Sequence, residues 1–476
     1  MRVRAAAVAV WLSATAWTWV YAEEWPQFRG PDGTGIVKSG TLPTEWDGEK
    51  NIAWKTKVPG YAWSQPIVWG DKVYVTTAVA DKQNKPAGGG MRRPGGEGGR
   101  PPGDPPPPRP TGPGQGRPGG GQPGGPGGPG GGRGAPPPPD EVYRWELFCL
   151  DRGTGHVLWS KRAAEHKPAI PTHRTNTYAS ETPVTDGERL YVYFGMVGLY
   201  CFDMEGKLLW EKKIGPYPMA SGWGTGSSPI LAGDLVYLQC DNERESFLVA
   251  FDKKSGEERW RVPREERSTW STPFVWKNKV RTELVTAGSR KVVAYDPATG
   301  KVLWEISRNT GRCSATPVGN DELLFLGTGG GPAGGGPLWA IKAGASGVID
   351  LQEGETTNAG IAWRQARGGP PMASPLLHDG LLYIAGTGVV TCYNAATGEE
   401  VWKERLPGAR GFTSSPWAAG GKLYFLDEDG QTFILAAGPK FQVLGKNSLG
   451  EMCWSSPAIA DGAIYLRTVD HVFCIK

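Results

Sequence analysis

The sequence predicts an all-β fold: an eight-bladed β-propeller of four-stranded antiparallel blades. Three observations predict it. A hairpin recurs: Ala294–Trp304 reads A-Y-D-P-A-T-G-K-V-L-W, and the eleven-residue pattern returns at Cys149–Trp159, Ala250–Trp260 and Cys392–Trp402, one residue shorter at Cys201–Trp210. A short signal ending in proline, in most copies Ser/Thr–Pro, occurs eight times, at Trp63–Pro66, Ser180–Pro183, Gly226–Pro229, Trp270–Pro273, Ser314–Pro317, Met372–Pro375, Thr413–Pro416 and Trp454–Pro457. From Pro183 onward those prolines lie 46, 44, 44, 58, 41 and 41 residues apart, and helical periodicity is sustained nowhere. Short strands at this spacing, four to a unit, are the mark of radially repeated sheets.

Taken in order, residues 1–22 read as a secretory signal. Arg2 and Arg4 precede an apolar run, Ala5 to Val20, and Val20-Tyr21-Ala22 offers a small-residue cleavage site after Ala22. The expectation is an extracytoplasmic protein, periplasmic or secreted; an uncleaved anchor is the alternative, since the run is long enough to span. Residues 23–50 form a lead-in, with W-P-Q-F-R-G-P-D-G-T-G-I at Trp25–Ile36 expected as a turn-rich strap against the barrel wall. The propeller then occupies residues 51–476 and is interrupted by residues 86–139, a disordered Gly/Pro-rich loop by composition: 22 of its 54 residues are Gly and 18 are Pro. That insert carries +4 and the leader +2; without them the chain's formal +4 falls to near −2. The basicity therefore belongs to segments outside the folded ring, which argues against nucleic acid as a partner.

Within a unit, strand A follows the proline signal, B follows an Asp-Gly-type turn, C ends at the hairpin Asp and D carries the tryptophan. In unit four these are Ser271–Trp276, Arg281–Ala287, Lys291–Tyr295 and Lys301–Ile306. In the hairpin itself the Asp accepts bonds from the turn backbone, and Gly300 supplies the positive φ of the reversal. The recurring tryptophans are Trp159, Trp210, Trp260, Trp304, Trp363, Trp402 and Trp54, expected between neighbouring blades. Each buries roughly 150–250 Å², an upper bound of a few kcal/mol at about 25 cal/mol/Å². Unit seven has none, so Phe441–Leu444 is expected to fill the gap; unit five is stretched between Lys342 and Trp363. The last unit stops after three strands. Asn51–Val58, with Trp54 at the right place, is expected to supply the fourth by pairing with Val472–Ile475. The A–B and C–D turns fall on one face and the longer, irregular connections on the other, the layout of a binding scaffold.

The A-x-D-x-x-T-G-K-x-x-W pattern resembles the tryptophan-docking repeat of quinoprotein alcohol dehydrogenases and of BamB-like outer-membrane assembly proteins, over roughly Asn51 to the end of the chain. The opening W-P-Q-F-R-G-P-D-G with Leu42–Trp46 is similar to the lead-in of secreted PQQ-binding-like repeat proteins. The resemblance implies an eight-bladed, envelope-located propeller; it does not by itself imply bound PQQ. The quinoprotein enzymes carry an adjacent Cys-Cys pair over the cofactor, and this chain has none; nor has it a C-x-x-C-H haem motif.

Other motifs have plain structural readings. Cys149, Cys201, Cys392 and Cys474 occupy a slot that holds Ala250 and Ala294 elsewhere, so they serve as small buried side chains. His166 and His173 share one loop with Glu165, but a metal needs further ligands. Asp429-Gly430 is a hairpin pair rather than a calcium loop. Gly327–Gly336 lacks the Lys-Ser/Thr and helix of a phosphate loop. What remains is the channel mouth on the loop-rich face, where Trp63, Trp270, Trp454, Phe412, Arg312 and Arg410 are placed as a possible ligand or partner face. Aromatics with arginines suit a peptide, a sugar or a planar anion; tryptophans that merely plug the channel are the alternative.

No catalytic, cofactor-binding or metal residues are assigned. The favoured expectation is a monomeric, non-catalytic scaffold binding protein partners in the envelope, with no cofactor. The alternative is a reduced quinoprotein dehydrogenase holding PQQ with calcium at the mouth, and a third reading is a carbohydrate-binding propeller.

Overall fold

The computed structural model describes residues 23–88, 135–309, 311–329 and 335–476. The signal-like leader, the body of the Gly/Pro insert and part of Gly327–Gly336 lie outside the described residues. Among the described residues eight sheets form the ring, seven antiparallel and of four strands and one of five whose outermost strand is parallel. Blade one runs Ile67–Trp69, Lys72–Val79, Tyr143–Asp151 and Val157–His166 from the axis outward; blade four begins Phe274–Lys277, Thr282–Ala287, Val292–Tyr295 and Val302–Ile306. Blade eight contributes Ala458–Ala460, Ala463–Arg467 and His471–Ile475 from the end of the chain, and Ile52–Lys57 lies antiparallel to the last of these, Trp54 opposite Cys474 and Lys57 opposite His471.

The hairpin motif folds as its residues dictate. Asp296 Oδ1 accepts from the Thr299 amide at 2.9 Å and from its hydroxyl at 2.7 Å, and the Gly300 N–H bonds the Asp296 carbonyl. Gly300 has φ of 71° and is required for a second reason as well. A Cβ there would lie 2.7 Å from the Trp260 ring of the preceding blade. The same collision would occur between Gly155 and Trp54, Gly256 and Trp210, and Gly398 and Trp363, at 2.5–2.7 Å. Each indole then donates to a carbonyl of the turn it covers: Trp54 to Arg152 at 2.9 Å, Trp260 to Pro297 at 3.1 Å, Trp363 to Ala395 at 2.9 Å. Directly across the sheet from each tryptophan stands the small residue of strand C, as in Cys149↔Trp159, Ala250↔Trp260 and Cys392↔Trp402. A strand-B aromatic tilts against the same ring, Tyr74 on Trp159 and Tyr383 on Trp402, both at 5.9 Å. The tryptophan thus closes its own blade and locks onto the next.

Blades five and seven depart from this scheme. The excursion in blade five places Gly347–Val348 parallel to the outer strand of blade four, making its fifth strand. With no C–D turn to cover, Trp304 donates instead to Glu283 Oε2 at 2.6 Å. In blade seven the pairing is inverted, with Gly445 opposite Ile434. Phe441 does not fill the gap expected there: it packs edge-on against Trp402 of blade six, and Leu444 is exposed. The lead-in fills it. Thr44 passes over Gly445, Asn447 is bonded to both Thr44 and Trp46, and Trp46 is buried with Leu42 and Leu449 in the core shared with blade eight.

The strap is turn-rich, but it lies within the ring rather than outside it. Trp25 bridges Val68 of blade one, Ile36 bridges Ala418 of blade seven, and Gly33 sits against Phe274 of blade four. Arg29, at its tip, is 2 % exposed and donates to the carbonyls of Thr34 and Pro375. Its burial holds the guanidinium down to about 9. The chain therefore plugs its own axis from the tight-turn face.

Candidate functional site

Just beyond the plug, the innermost strands are stitched together by the residue preceding each proline. The Gln65 amide donates to Thr182 Oγ1, Thr182 to Ser228, Ser228 to Thr272, Thr316 to Ser374, Ser374 to Ser415 and Ser415 to Ser456, all at 2.9–3.1 Å. Two links are absent from this girdle. Between blades four and five the Thr316 hydroxyl has no partner. Between blades eight and one, Gln65 stands in place of Ser or Thr, and its side chain turns to Arg29 and Gln27 of the strap. There Ser455 Oγ bonds the Ser64 carbonyl instead, at 2.9 Å.

Above the girdle is the mouth. Trp63 and Trp454 stack with centroids 5.6 Å apart and planes at 21°. Trp63 is tied down by a bond to Thr175 O, and Trp270 by one to Gly224 O. Arg312 is exposed and lies over Trp223 at 6.0 Å, whose other contact is a stacked His173. Arg410 is exposed and paired with Asp429 at 3.1 Å. Phe412 is turned inward, 3 % exposed and edge-on to Phe425 in the core of blades six and seven. Of the six side chains, then, only Trp63 and Trp454 touch each other.

Between blades two, three and four the mouth opens into a buried polar cluster. A cavity of about 20 Å³ is lined by Tyr193, Thr225, Ser227, Gln239, Asp241 and Asn242, among others. Ser227 Oγ and Gln239 Oε1 have no hydrogen-bond partner. The Asp241 carboxylate is held by a fully buried Arg264 at 2.7 Å, with Thr269 and Gln239 as further donors. Burial works against the Arg264 charge, but Asp241, Tyr295 and Glu266 together more than offset it and raise that group above its ordinary range. Against this cluster lies Glu181, 2 % exposed and with no carboxylate-pairing cation; burial pushes it up to about 7 against the weaker, opposing pull of the Thr225 hydroxyl and nearby backbone amides. Gly195 leaves the room for it, since a Cβ there would lie 2.7 Å from Glu181 Oε1. Sequence reasoning missed Glu181. Its signal is that the slot it occupies holds Ser or Ala in every other unit.

Among the described residues no group of three His, Cys, Asp or Glu side chains could hold a metal ion. His166 packs on Trp145, 4.7 Å away. All seven cysteines are unpaired and buried, and burial raises each thiol, which leaves them poor nucleophiles. Asp427 accepts the amides of Asp429 and Gln431, the pattern of a tight turn.

Fold and girdle together define the class: an eight-bladed propeller of PQQ-like repeats. The family described as outer membrane protein assembly factor BamB matches residues 144–327 and 331–438, more than half the chain, and the protein belongs to that family. Among solved structures it is similar to BamB from Moraxella catarrhalis (TM-score 0.51, 14 % identity, covering 69 % of this chain and 91 % of that one). It is also similar to the quinohemoprotein alcohol dehydrogenase of Comamonas testosteroni (0.55, 11 %, 95 % and 80 %) and to a europium-containing methanol dehydrogenase (0.54, 12 %, 94 % and 90 %). These likenesses concern the fold. Curated relatives include tetrathionate hydrolase of Acidithiobacillus ferrooxidans, 23 % identical over 317 residues (58 % of this chain, 53 % of that protein). A second, from Acidianus ambivalens, is 26 % identical over 132 residues (25 % and 23 %). The chain thus spans about half or less of the curated relatives it matches. Among the described residues no helix is long and apolar enough to cross a membrane.

Proposed function

We propose that this protein is a non-catalytic scaffold of the cell envelope, outside the cytoplasm, which presents its loop-rich face to protein partners. The observation that carries this reading is the filled axis. Arg29 and the strap occupy the ring from the tight-turn face up to the girdle, so the surface left for recognition is the loop-rich face around Trp63, Trp270 and Trp454. Membership of the BamB family supports it. The test is photo-crosslinking in cells. A crosslinker at Met372 or Arg174, both exposed on the loop face, is expected to give discrete protein products, and one at Ala298 on the opposite face none. Equal yields from both faces would sink the proposal.

The quinoprotein reading requires room for a planar cofactor and carboxylates for calcium. The cavity inside the polar cluster, about 20 Å³, holds roughly one water, against about 300 Å³ or more for an ordinary ligand pocket, and the larger cavity of about 440 Å³ on this face, between Tyr61, Lys85, Glu141 and His173, is not lined by Asp241 or Glu181. Asp241 is already neutralised by Arg264, which leaves Glu181 as the one carboxylate of the cluster described above without a paired cation. These residues do not fit the group. Titration with PQQ and calcium, followed by tryptophan fluorescence, is expected to give no saturable quenching.

A further inference from the structure

Among the described residues three arginines are buried, and two of them are met by charge. Arg264 pairs with Asp241 at 2.7 Å, and Asp470 favours the charge on Arg467. Arg29, in the strap, is different. It forms no ion pair among the described residues, and burial is the one influence on its guanidinium. A buried charge with nothing of opposite sign near it is costly to the fold.

Its hydrogen bonding is also incomplete. Of the five N–H groups of a guanidinium, those on Nη2 meet the carbonyls of Thr34 and Pro375 at 2.8 and 2.6 Å, while Nε and Nη1 have no partner. The Gln65 side chain does not answer them. Its Oε1 already accepts from the Arg29 backbone amide at 3.1 Å, and its Nε2 donates to the Gln27 carbonyl.

The same bias runs along the lead-in. Among the described residues its buried side-chain atoms without a hydrogen-bond partner are Trp25 Nε1, Arg29 Nε and Nη1, and Trp46 Nε1, and every one is a donor. Trp25 lies against the turn that carries Arg29, since a Cβ on Gly30 would be 2.9 Å from its indole. Water serves donors and acceptors alike. Donors grouped around a fixed positive charge favour an acceptor that is itself negative. Gly35, which faces the Pro416 carbonyl on one side, keeps any side chain off the guanidinium on the other. A Cβ there would lie 2.9 Å from Pro416 O, 3.4 Å from Nη2 and 3.6 Å from Nε.

We propose that the strap carries a site for one small monovalent anion, of halide size, bound within the ring by the Arg29 guanidinium. One negative charge matches the single uncompensated positive one, and the enclosure of Arg29 selects a small ion. The anion neutralises the buried charge, so the strap seats most firmly when it is present. The inference goes beyond the scaffold reading and does not depend on it.

Bromide is the probe, because it scatters anomalously. The full chain, refolded and crystallised in sodium bromide, is expected to show an anomalous peak in contact with Arg29 Nε or Nη1. In solution the thermal midpoint is expected to rise by about 2 °C for each tenfold increase in bromide replacing gluconate at constant ionic strength, as mass action requires of an ion that binds only the folded state. Arg29→Met keeps the length of the side chain and removes its charge, and is expected to lose both the peak and the bromide dependence. Arg367→Met, at an exposed arginine, is expected to keep both. If Arg29→Met does not fold, the peak and the titration of the parent still decide. Density at Arg29 without anomalous signal, signal confined to exposed arginines, or an equal bromide response in Arg29→Met and the parent would each overturn the site. None of these outcomes touches the loop-face crosslinks, so the scaffold reading stands or falls separately.

Discussion

The indole of Trp304 donates a 2.6 Å hydrogen bond to the carboxylate of Glu283, and both side chains are fully buried. At Trp54, Trp210, Trp260, Trp363 and Trp402 that indole bonds a turn carbonyl of the following blade. Here the following blade has no such turn, and a charged group from the same sheet takes over, itself met by Arg281 at 3.0 Å and Asn278 at 3.1 Å. Glu283→Ala strands the Trp304 indole N–H and the Asn278 side-chain nitrogen, and the expected loss is about 3 kcal/mol in urea unfolding. Glu283→Gln keeps the shape and is expected to cost less.

Glu181 gives a stability that depends on pH. Its ordinary value is 4.5 and burial raises it to about 7 in the folded protein. Between those values the unfolded chain has lost the proton while the native state keeps it, so stability falls as pH rises through that window and then levels off. Glu181→Gln removes this contribution and is expected to be more stable than the parent by about 3 kcal/mol at pH 8, with little difference at pH 4. Unfolding curves of both proteins at the two pH values measure it; parallel pH profiles would show that Glu181 carries no such shift.

The docking of tryptophan on glycine predicts a steep response to one methyl group. At Gly155 a Cβ would lie 2.5 Å from Trp54, on a residue with φ of 74°. Gly155→Ala is therefore expected to cost about 2–4 kcal/mol, from overpacking and backbone strain together. At Gly233, where φ is 59° but nothing lies within 4 Å, alanine should cost only the backbone share, about 1 kcal/mol. The gap between the two thermal midpoints reads the packing term.

Trp46 is the lead-in's substitute for a missing blade tryptophan. Trp46→Ala should open a cavity between blades seven and eight and lose about 3–5 kcal/mol. Because Ile52–Lys57 follows closely and closes the ring, hydrogen exchange in His471–Ile475 should quicken in this variant more than in blades three and four.

The blades were legible in the sequence because their instructions are local. Asp296 and Gly300 fix a turn within five residues, and the small residue opposite each tryptophan is set by strand register alone. The rest depends on segments distant in sequence. Nothing near Gly445 announces that Thr44 and Trp46 will cover it, and nothing near Arg29 says that Gln65 and Pro375 await it inside the ring. At the mouth, Trp63 and Trp454 could be brought together from the repeat, since they occupy one slot in adjoining units. Phe412 could not be placed that way: two residues after Arg410, its ring found Phe425 and the core. Glu181 was hidden by the opposite habit, that of reading a recurring slot as if every copy carried the same chemistry.

The interrupted stitching around the axis has a mechanical meaning. The joints between blades four and five and between eight and one lack the amide-to-hydroxyl link, and they sit half a turn apart. At both joints a serine hydroxyl reaches the neighbouring blade's carbonyl instead, Ser455 to Ser64 and Ser271 to Ala315, so two joints of one kind divide the ring into equal arcs, blades one to four and five to eight. The strap crosses from one arc to the other, from Val68 and Phe274 to Pro375 and Ala418, and so works as the hasp of a clamshell.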